Sequence, residues 1–184
     1  MKRSLFILAA VAVTALSILG AMLVTADPTP AAPSLSETEA LDLQYSREEE
    51  KLARDVYNFL DALWGDQVGT FANISPSENT HTLAIKALLE KHGVSDPVED
   101  DVPGVFVNGD LQDEYDVLVS EGSASLVAAL EVGVQIEVMD IADLVLFKSR
   151  TTHRDIQNVY GNLIDGSHNH LEAFEKVLEK VLTR

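Results

Sequence analysis

Two segments of the chain carry polar residues of metal-ligating type in the middle of otherwise apolar helical stripes. Glu78 and His81 interrupt the first stripe, and Ser167 and His170 interrupt the second. Residues three apart on a helix are neighbours on one face, so the members of each pair can point at a common centre. Carboxylates and neutral imidazoles directed at one point are typical of a metal site. Read at alternating steps of three and four, the stripes are residues 71–88 and residues 156–181.

Two further segments offer carboxylates, but their helical register is open. Glu137 and Asp140 interrupt a third apolar stripe, whereas a neighbouring stripe that passes through Val138 is equally apolar. In the first long segment, one apolar stripe contains Glu50 and another contains Glu49. Spacing alone does not choose between these two glutamates.

The charge of these residues favours a pair of metal ions. A buried, unpaired carboxylate costs several kcal/mol, so a cluster of them must be protonated, paired with cations or bound to metal. The midpoints of the stripes carry no Lys or Arg. The carboxylates hold about four negative charges, which two divalent cations would neutralise, with two histidines as nitrogen donors. The residues are Glu50, Glu78, Glu137 and Asp140, together with His81 and His170.

Readings without a metal are also open. Ser75 and Glu78, with Pro76 between them, match a capping box, so Glu78 can cap a helix instead of binding a metal. Capping alone, however, does not explain why His81 lies on the stripe. His170 can be a core histidine bonded to a serine or to a backbone carbonyl.

Other charged residues are expected to have ordinary roles. Glu48 and Glu49 are typical of a solvated helix face or of salt bridges within a helix. His92 and His153 lie near predicted helix ends and are expected to be surface or capping residues.

The elements that must position these side chains are all helical. Ser36 followed by Glu39 is a capping-box pattern that begins a helix, and Gly65 ends it. Residues 94–109, rich in Pro, Gly and acidic residues, predict a connecting loop. No strand-like alternation is present, so the predicted fold class is all-α. The predicted helices are A, 36–64; B, from between 66 and 76 to 92; a short helix, 110–120; C, 123–148; and D, 152–182.

Four multi-residue patterns resemble known helical proteins. ExxARxxY from Glu50 to Tyr57, and FxxIxxxExxH from Phe71 to His81, resemble the first two helices of rubrerythrin-type ferritin-like proteins. GxxxExxDI in residues 133–141 and VYxxLxxGSxNHLxAF in residues 159–174 are similar to the DUF2202 family of the ferritin-like superfamily. The resemblance implies a ferritin-like four-helix bundle with one short extra helix between helices B and C. It also implies a carboxylate-bridged metal pair and selects Glu50 as the ligand from helix A.

The chain departs from the usual ferritin-like ligand pattern at one position. That pattern has a Glu from each of two helices and Glu-x-x-His from each of the other two. Helix B keeps Glu78 and His81, but helix D has Ser167 before His170, so one carboxylate is missing. Asp140 is the candidate replacement. Otherwise the site holds one ion, or an asymmetric pair with a weak second position.

The N-terminal segment predicts a location outside the cytoplasm. Lys2 and Arg3 precede an uncharged apolar run, and small residues follow it, as in an export signal. A run of about 20 residues is also long enough for an uncleaved membrane anchor. We therefore expect a signal or anchor at 1–26, a Pro-rich linker at 27–35, and one bundle domain at 36–184, a monomer or a homodimer.

Composition excludes several classes of partner and cofactor. The 184-residue chain has no cysteine, so a metal must be held by Asp, Glu and His. Its formal net charge of −17 opposes binding to nucleic acid, which needs clustered Lys and Arg. The expected partners are metal ions: iron, manganese or zinc, one or two per chain.

The resemblance implies redox chemistry if the metals are redox-active: oxidation of Fe(II), or reduction of peroxide. Two other classes of function are compatible with the same residues. One is a non-catalytic metal carrier or sensor outside the cell. The other is a metal-free helical bundle that binds partners through its acidic surface or its long loop.

Overall fold

The computed structural model describes residues 34–183, and this part of the chain forms five α-helices and no strand. The all-α prediction is therefore confirmed, including the short helix in the middle of the chain. None of the five helices has the length and apolar composition needed to cross a membrane. The export signal or anchor and most of the linker were predicted for residues that lie outside the described range. The helices are α1 Glu37–Trp64, α2 Thr70–His92, α3 Gly109–Gly122, α4 Leu126–Arg150 and α5 Arg154–Leu182.

The first helix begins at the predicted capping box. The Oγ of Ser36 accepts a hydrogen bond from the Glu39 amide at 3.2 Å, and Glu39 Oε2 accepts one from the Ser36 amide at 2.8 Å. Two amide groups that the helix leaves unpaired at its start are thereby satisfied. The helix ends before Gly65, as predicted.

The second helix begins earlier than the capping-box reading of Glu78 requires. It starts at Thr70, and Pro76 lies in its interior, where it removes one backbone hydrogen bond. Ser75 is not an N-cap, because its Oγ bonds Asn58 Oδ1 at 2.7 Å. The alternative that Glu78 only caps a helix is therefore wrong.

The four long helices pack as two hairpins, with the polar residues halfway along them. α1 packs on α2 and α4 on α5, while α3 packs on α1 and α4. One apolar cluster contains Tyr57, Phe71 and Phe174, and a second contains Ile85 and Tyr160. On α2 and α5 the candidate metal ligands lie between the two clusters. The site is therefore enclosed by apolar packing at both ends.

Two of the predicted helical stripes can be compared directly with burial. The buried residues of α5 include Ser167, His170 and every apolar member of the predicted stripe as far as Phe174. On α4, the stripe through Glu137 is buried, whereas Val138 is 51% exposed. The open register of helix C is thus resolved in favour of Glu137.

The middle of α1 is buried on every side, from Ser46 to Tyr57. The loop between α2 and α3 covers its outer face and bonds to its charged side chains. Lys51 Nζ donates to the Val102 carbonyl at 2.9 Å, and Arg54 Nη1 donates to Asp101 at 3.0 Å. The loop and Asp55 of α1 together satisfy these cations, which allows them to be buried.

Glu48 belongs to the same covered face, so the prediction that it is solvated is wrong. It is 3% exposed. Its carboxylate accepts hydrogen bonds from the amides of Val107 and Asn108, just before α3 begins. This contact fixes the start of α3 against α1.

Candidate metal centre

The structure brings together the metal-ligating residues that the sequence predicted. Glu50 comes from α1, Glu78 and His81 from α2, Glu137 from α4 and His170 from α5. All five side chains are buried, with the three glutamates at most 2% exposed. Four helices therefore each contribute to one polar cluster inside the apolar bundle.

Glu78 lies between the two histidines and faces each of them with a different oxygen. Its Oε2 is 3.0 Å from His81 Nδ1, and its Oε1 is 2.6 Å from His170 Nδ1. The two imidazole rings lie roughly parallel, with centroids 5.5 Å apart. This is the arrangement that a carboxylate needs to bridge two ions.

The other two glutamates lie outside this pair, one beside each histidine. Glu50 Oε2 is 3.2 Å from His81 Nδ1, and Glu137 Oε2 is 3.6 Å from His170 Nδ1. Each histidine thus belongs to a triad whose potential ligand atoms all lie within 4.8 Å of one another. The two triads share Glu78.

Several buried atoms of the cluster have no hydrogen-bond partner. They include Glu50 Oε1 and, although they are only 2.6 Å apart, Glu78 Oε1 and His170 Nδ1. The short separation is a close approach without hydrogen-bond alignment. A buried polar atom left unpaired costs about 1–3 kcal/mol. The donor set of carboxylate oxygens and imidazole nitrogens fits iron, manganese or zinc, which would satisfy these atoms.

Asp140 lies beside the triads and is held by the serine that departs from the ferritin-like pattern. Ser167 Oγ donates a hydrogen bond to Asp140 Oδ2 at 2.6 Å. The other oxygen, Oδ1, is buried without a partner. Asp140 therefore lies against the position where the usual pattern has a glutamate, with one oxygen free.

Tyr57 orients the carboxylate of Glu137. Its hydroxyl donates to Glu137 Oε1 at 2.6 Å, which leaves Oε2 directed towards His170. The ring of Tyr57 packs in the apolar cluster with Phe71 and Phe174, while its hydroxyl bonds to the carboxylate. A single tyrosine thus connects the apolar cluster to the polar one.

Burial makes the acidic residues of the cluster difficult to ionise together. It raises the pKa of Glu50 well above its ordinary value, and the nearby charges of Asp140 and Glu78 raise it further. Burial also raises the pKa of Glu137. The pKa of Asp140 rises to about 7, because burial outweighs the opposite effect of the Ser167 hydroxyl.

In Glu78 and the two histidines, by contrast, the charged form is favoured. Burial raises the pKa of Glu78, but the adjacent imidazoles of His170 and His81 outweigh it and lower that pKa to about 2. Burial lowers the pKa of His170, yet Glu137 and Glu78 raise it to about 9. The imidazolium of His170 and the carboxylate of Glu78 therefore balance each other's charge inside the bundle.

Glu49 is a buried acid that the sequence did not identify. It is 5% exposed, and its Oε2 has no hydrogen-bond partner. Burial raises its pKa well above the ordinary value, and the charges of Asp140 and Asp143 add to the shift. The prediction that Glu49 is solvated is wrong, because α4 covers this side of α1. The presence of two apolar stripes on helix A was the signal that it is buried on more than one face.

The chain has relatives of known sequence and structure. Residues 39–183 match the family described as "Uncharacterized protein domain (DUF2202)". The match extends over most of the chain, which therefore belongs to the DUF2202 family, as the resemblance predicted.

One of these relatives is the uncharacterised protein MJ0754 of Methanocaldococcus jannaschii. It is 49% identical over 144 residues, which cover 78% of this chain and 77% of that protein. The crystal structure of the hypothetical protein MJ0754 from Methanococcus jannaschii is similar in fold, with a TM-score of 0.79 and 46% identity. That similarity covers 84% of this chain and 87% of that one.

Proposed function

We propose that this protein is a ferritin-like bundle that binds two divalent metal ions, iron or manganese in preference to zinc, at its centre. The observation that carries the proposal is the position of Glu78 between the two histidines. Its Oε2 lies 3.0 Å from His81 Nδ1, and its Oε1 lies 2.6 Å from His170 Nδ1. One ion would be held by Glu50, Glu78 and His81, and the other by Glu78, Glu137 and His170.

The arrangement of the helices supports the ferritin-like assignment. The usual pattern places one Glu on each of two helices and Glu-x-x-His on each of the other two. Here Glu50 and Glu137 come from α1 and α4, and the Glu78–His81 pair comes from α2. The short α3 occupies the connection between the two hairpins.

Charge balance supports two ions and gives Asp140 a role. Glu50, Glu78, Glu137 and Asp140 would carry about four negative charges when fully ionised, the charge that two divalent cations neutralise. Asp140 is buried with a free oxygen, and Ser167 holds its other oxygen. We therefore assign Asp140 as the replacement for the missing helix D glutamate.

Each residue around the ions would have a definite task. Tyr57 would hold Glu137 so that one oxygen faces the second ion, and Ser167 would hold Asp140 in the same way. The apolar clusters on either side would exclude water from the centre. Bound iron or manganese would supply one-electron redox changes there, the chemistry of a ferroxidase or a peroxidase-type enzyme.

Metal content tests the proposal directly. The full chain, prepared without a histidine tag, is stripped with a chelator and titrated with Fe(II) under argon, with Mn(II) and Zn(II) in parallel. Two ions per chain are expected, with a higher melting temperature in the loaded protein, because ligands that bind only the folded state stabilise it. A melting temperature unchanged by verified metal removal would support the metal-free bundle instead.

Substitutions separate the two ion positions. Glu78→Gln is expected to abolish the binding of both ions, whereas Glu50→Gln and Glu137→Gln each weaken one position more than the other. Glu90→Gln is the matched control, since Glu90 is exposed on the same helix. Two ions of unchanged affinity in Glu78→Gln would contradict the bridging role.

Redox activity and location are tested separately. Loss of Fe(II) on addition of air or peroxide, with turnover beyond the bound ions, would support an enzyme. Stable binding without turnover would support the carrier or sensor.

We further propose that residues 1–26 direct the domain out of the cytoplasm. Cell fractionation of the full chain and of the chain lacking this segment tests that step.

A further inference from the structure

A second group of metal-ligating side chains lies at one end of the bundle, away from the centre. His92 is the last residue of α2, His153 is the N-cap of α5, and Asp155 lies in the first turn of α5. His92 follows His81 by 11 residues on the same helix. At about 1.5 Å per residue, it lies about 16 Å along the axis from the central cluster.

The three side chains are close enough to share one ion. One nitrogen of each histidine and one oxygen of Asp155 all lie within 4.8 Å of one another. His92 Nε2 is 2.7 Å from Asp155 Oδ2. The imidazole of His153 stands nearly perpendicular to that of His92, with ring centroids 5.4 Å apart. The two histidine side chains are 12% and 9% exposed, so their positions are set by packing.

We propose that His92, His153 and Asp155 form a mononuclear site for a zinc-class divalent cation, with water completing the coordination. Bond lengths of about 2.0–2.2 Å place neighbouring ligand atoms of a tetrahedral zinc ion about 3.3 Å apart. The close His92–Asp155 pair has to open by less than about 1 Å to reach that spacing. Two nitrogen donors and one carboxylate favour zinc, cobalt or nickel, in contrast to the carboxylate-rich centre.

The charge around Asp155 is consistent with this assignment. Burial raises the pKa of Asp155, but hydrogen bonds from Lys91 and His92 outweigh it and hold that pKa well below its ordinary value. The carboxylate is therefore ionised. In the metal-free protein, Lys91 Nζ balances it at 2.8 Å, and the Lys91 side chain is 61% exposed. The lysine can turn into solvent when a cation takes its place.

Glu39 adds negative charge but is not assigned as a ligand. Its Oε1 is 3.9 Å from His153 Nε2 and already accepts a hydrogen bond from the Thr151 hydroxyl at 2.6 Å. The site thus joins the end of α2 to the start of α5, next to the first turn of α1. A bound ion would fasten this end of the bundle.

The test uses the full chain without a histidine tag, carrying Glu78→Gln to suppress binding at the centre. Co(II) serves as the probe, because its visible absorption reports nitrogen and oxygen coordination in a four- or five-ligand site. We expect one Co(II) per chain with such a band, displaced by Zn(II). His92→Ala and Asp155→Asn should each weaken binding at least tenfold. His168→Ala, which removes an exposed histidine of α5, should leave it unchanged.

Lys91→Met provides an independent test, because an increase in Co(II) affinity cannot result from a loss of structure. Removal of the competing cation is expected to tighten Co(II) binding several-fold. Far-UV circular dichroism confirms that each variant is folded. No Co(II) binding by the folded Glu78→Gln protein, or binding that neither His92→Ala nor Asp155→Asn reduces, would overturn the site. These results test the site at the end of the bundle. The titration of the wild-type protein tests the central site separately.

Discussion

Gly166 of α5 lies directly against the imidazole of His81 on α2. A Cβ atom on Gly166 would stand 2.7 Å from His81 Nε2 and 2.8 Å from Cε1. A Cβ atom essentially never lies within 3.0 Å of such an atom, so any side chain at this position would displace the ring. The glycine therefore allows α5 to pack against the Nε2–Cε1 edge of the His81 ring, while Nδ1 faces Glu78.

Gly166→Ala should consequently weaken metal binding without any change to a ligand. In metal proteins, mutation of a residue that orients a metal-binding histidine typically costs about 10- to 100-fold in metal affinity. Gly161→Ala is the matched control, because its Cβ would meet only the flexible end of Lys148, at 2.9 Å. Alanine in a helix is favoured over glycine by about 0.5–1 kcal/mol, so the control should be slightly more stable. Metal titration and thermal melting of both variants give the comparison, and equal affinities would contradict the supporting role.

The Ser167–Asp140 contact predicts how the departure from the ferritin-like pattern can be reversed. Asp140→Asn should weaken one ion position at least about tenfold, through loss of a charged ligand. Ser167→Glu alone should not improve binding, since Asp140 occupies the adjacent space, 2.6 Å from the serine hydroxyl. The double variant Asp140→Ala/Ser167→Glu should recover two ions per chain. Isothermal titration of the three variants measures this. Asp140→Asn with wild-type affinity at both positions would show that Asp140 is not a ligand.

Glu39 predicts a pH dependence of stability. Burial raises its pKa, but hydrogen bonds from Thr151 and Ser36 and the charge of His153 outweigh it and lower that pKa from 4.5 to about 2. A lowered pKa in the folded state stabilises the protein above the unfolded value, and the stabilisation is lost as the pH falls through the folded value. Glu39→Gln should therefore lower the melting temperature at pH values above 4.5, and the difference from wild type should shrink towards pH 2. A difference that is constant over this range would contradict the assignment.

Asp55 should be among the most sensitive positions for stability outside the metal centre. It accepts hydrogen bonds from Lys51 Nζ at 2.6 Å and from Arg54 Nε at 3.0 Å, and the Lys51 side chain is 1% exposed. Asp55→Asn leaves a buried ammonium group without its counter-charge, and the removal of one partner from a buried pair costs about 3–5 kcal/mol. Asp66→Asn is the control, because Asp66 is exposed. Urea denaturation of both variants measures the difference, and similar small losses would show that Lys51 finds another partner.

The sequence predicted the site best where a helix has one apolar stripe. On α5 the interruption by Ser167 and His170 could be read directly, because one face alone is buried. On α1 the same reasoning could not choose between Glu49 and Glu50, and both proved to be buried. Helical periodicity identifies the buried face of a helix only when another face of the same helix is exposed to solvent, which is not the case in the middle of α1.

The contacts that the sequence did not predict join residues distant along the chain. Arg54 meets Asp101, and His92 meets Asp155, through loops and helix ends that periodicity does not describe. Local patterns therefore predicted the helices and most of the residues that meet in the central polar cluster. They could not predict that a loop covers α1, or that two helix ends bring histidines together.

The complete burial of α1 between Ser46 and Tyr57 also constrains how an ion could leave the centre. Backbone amides in this stretch can exchange their hydrogens with solvent only when the surrounding helices and loop separate, so their exchange rates report the opening of the whole bundle. Glu50 lies within that stretch. A local fluctuation of α1 cannot carry its carboxylate out to solvent. An ion held at the centre would therefore leave through movements of α2, α4 or α5, whose outer faces are exposed to water.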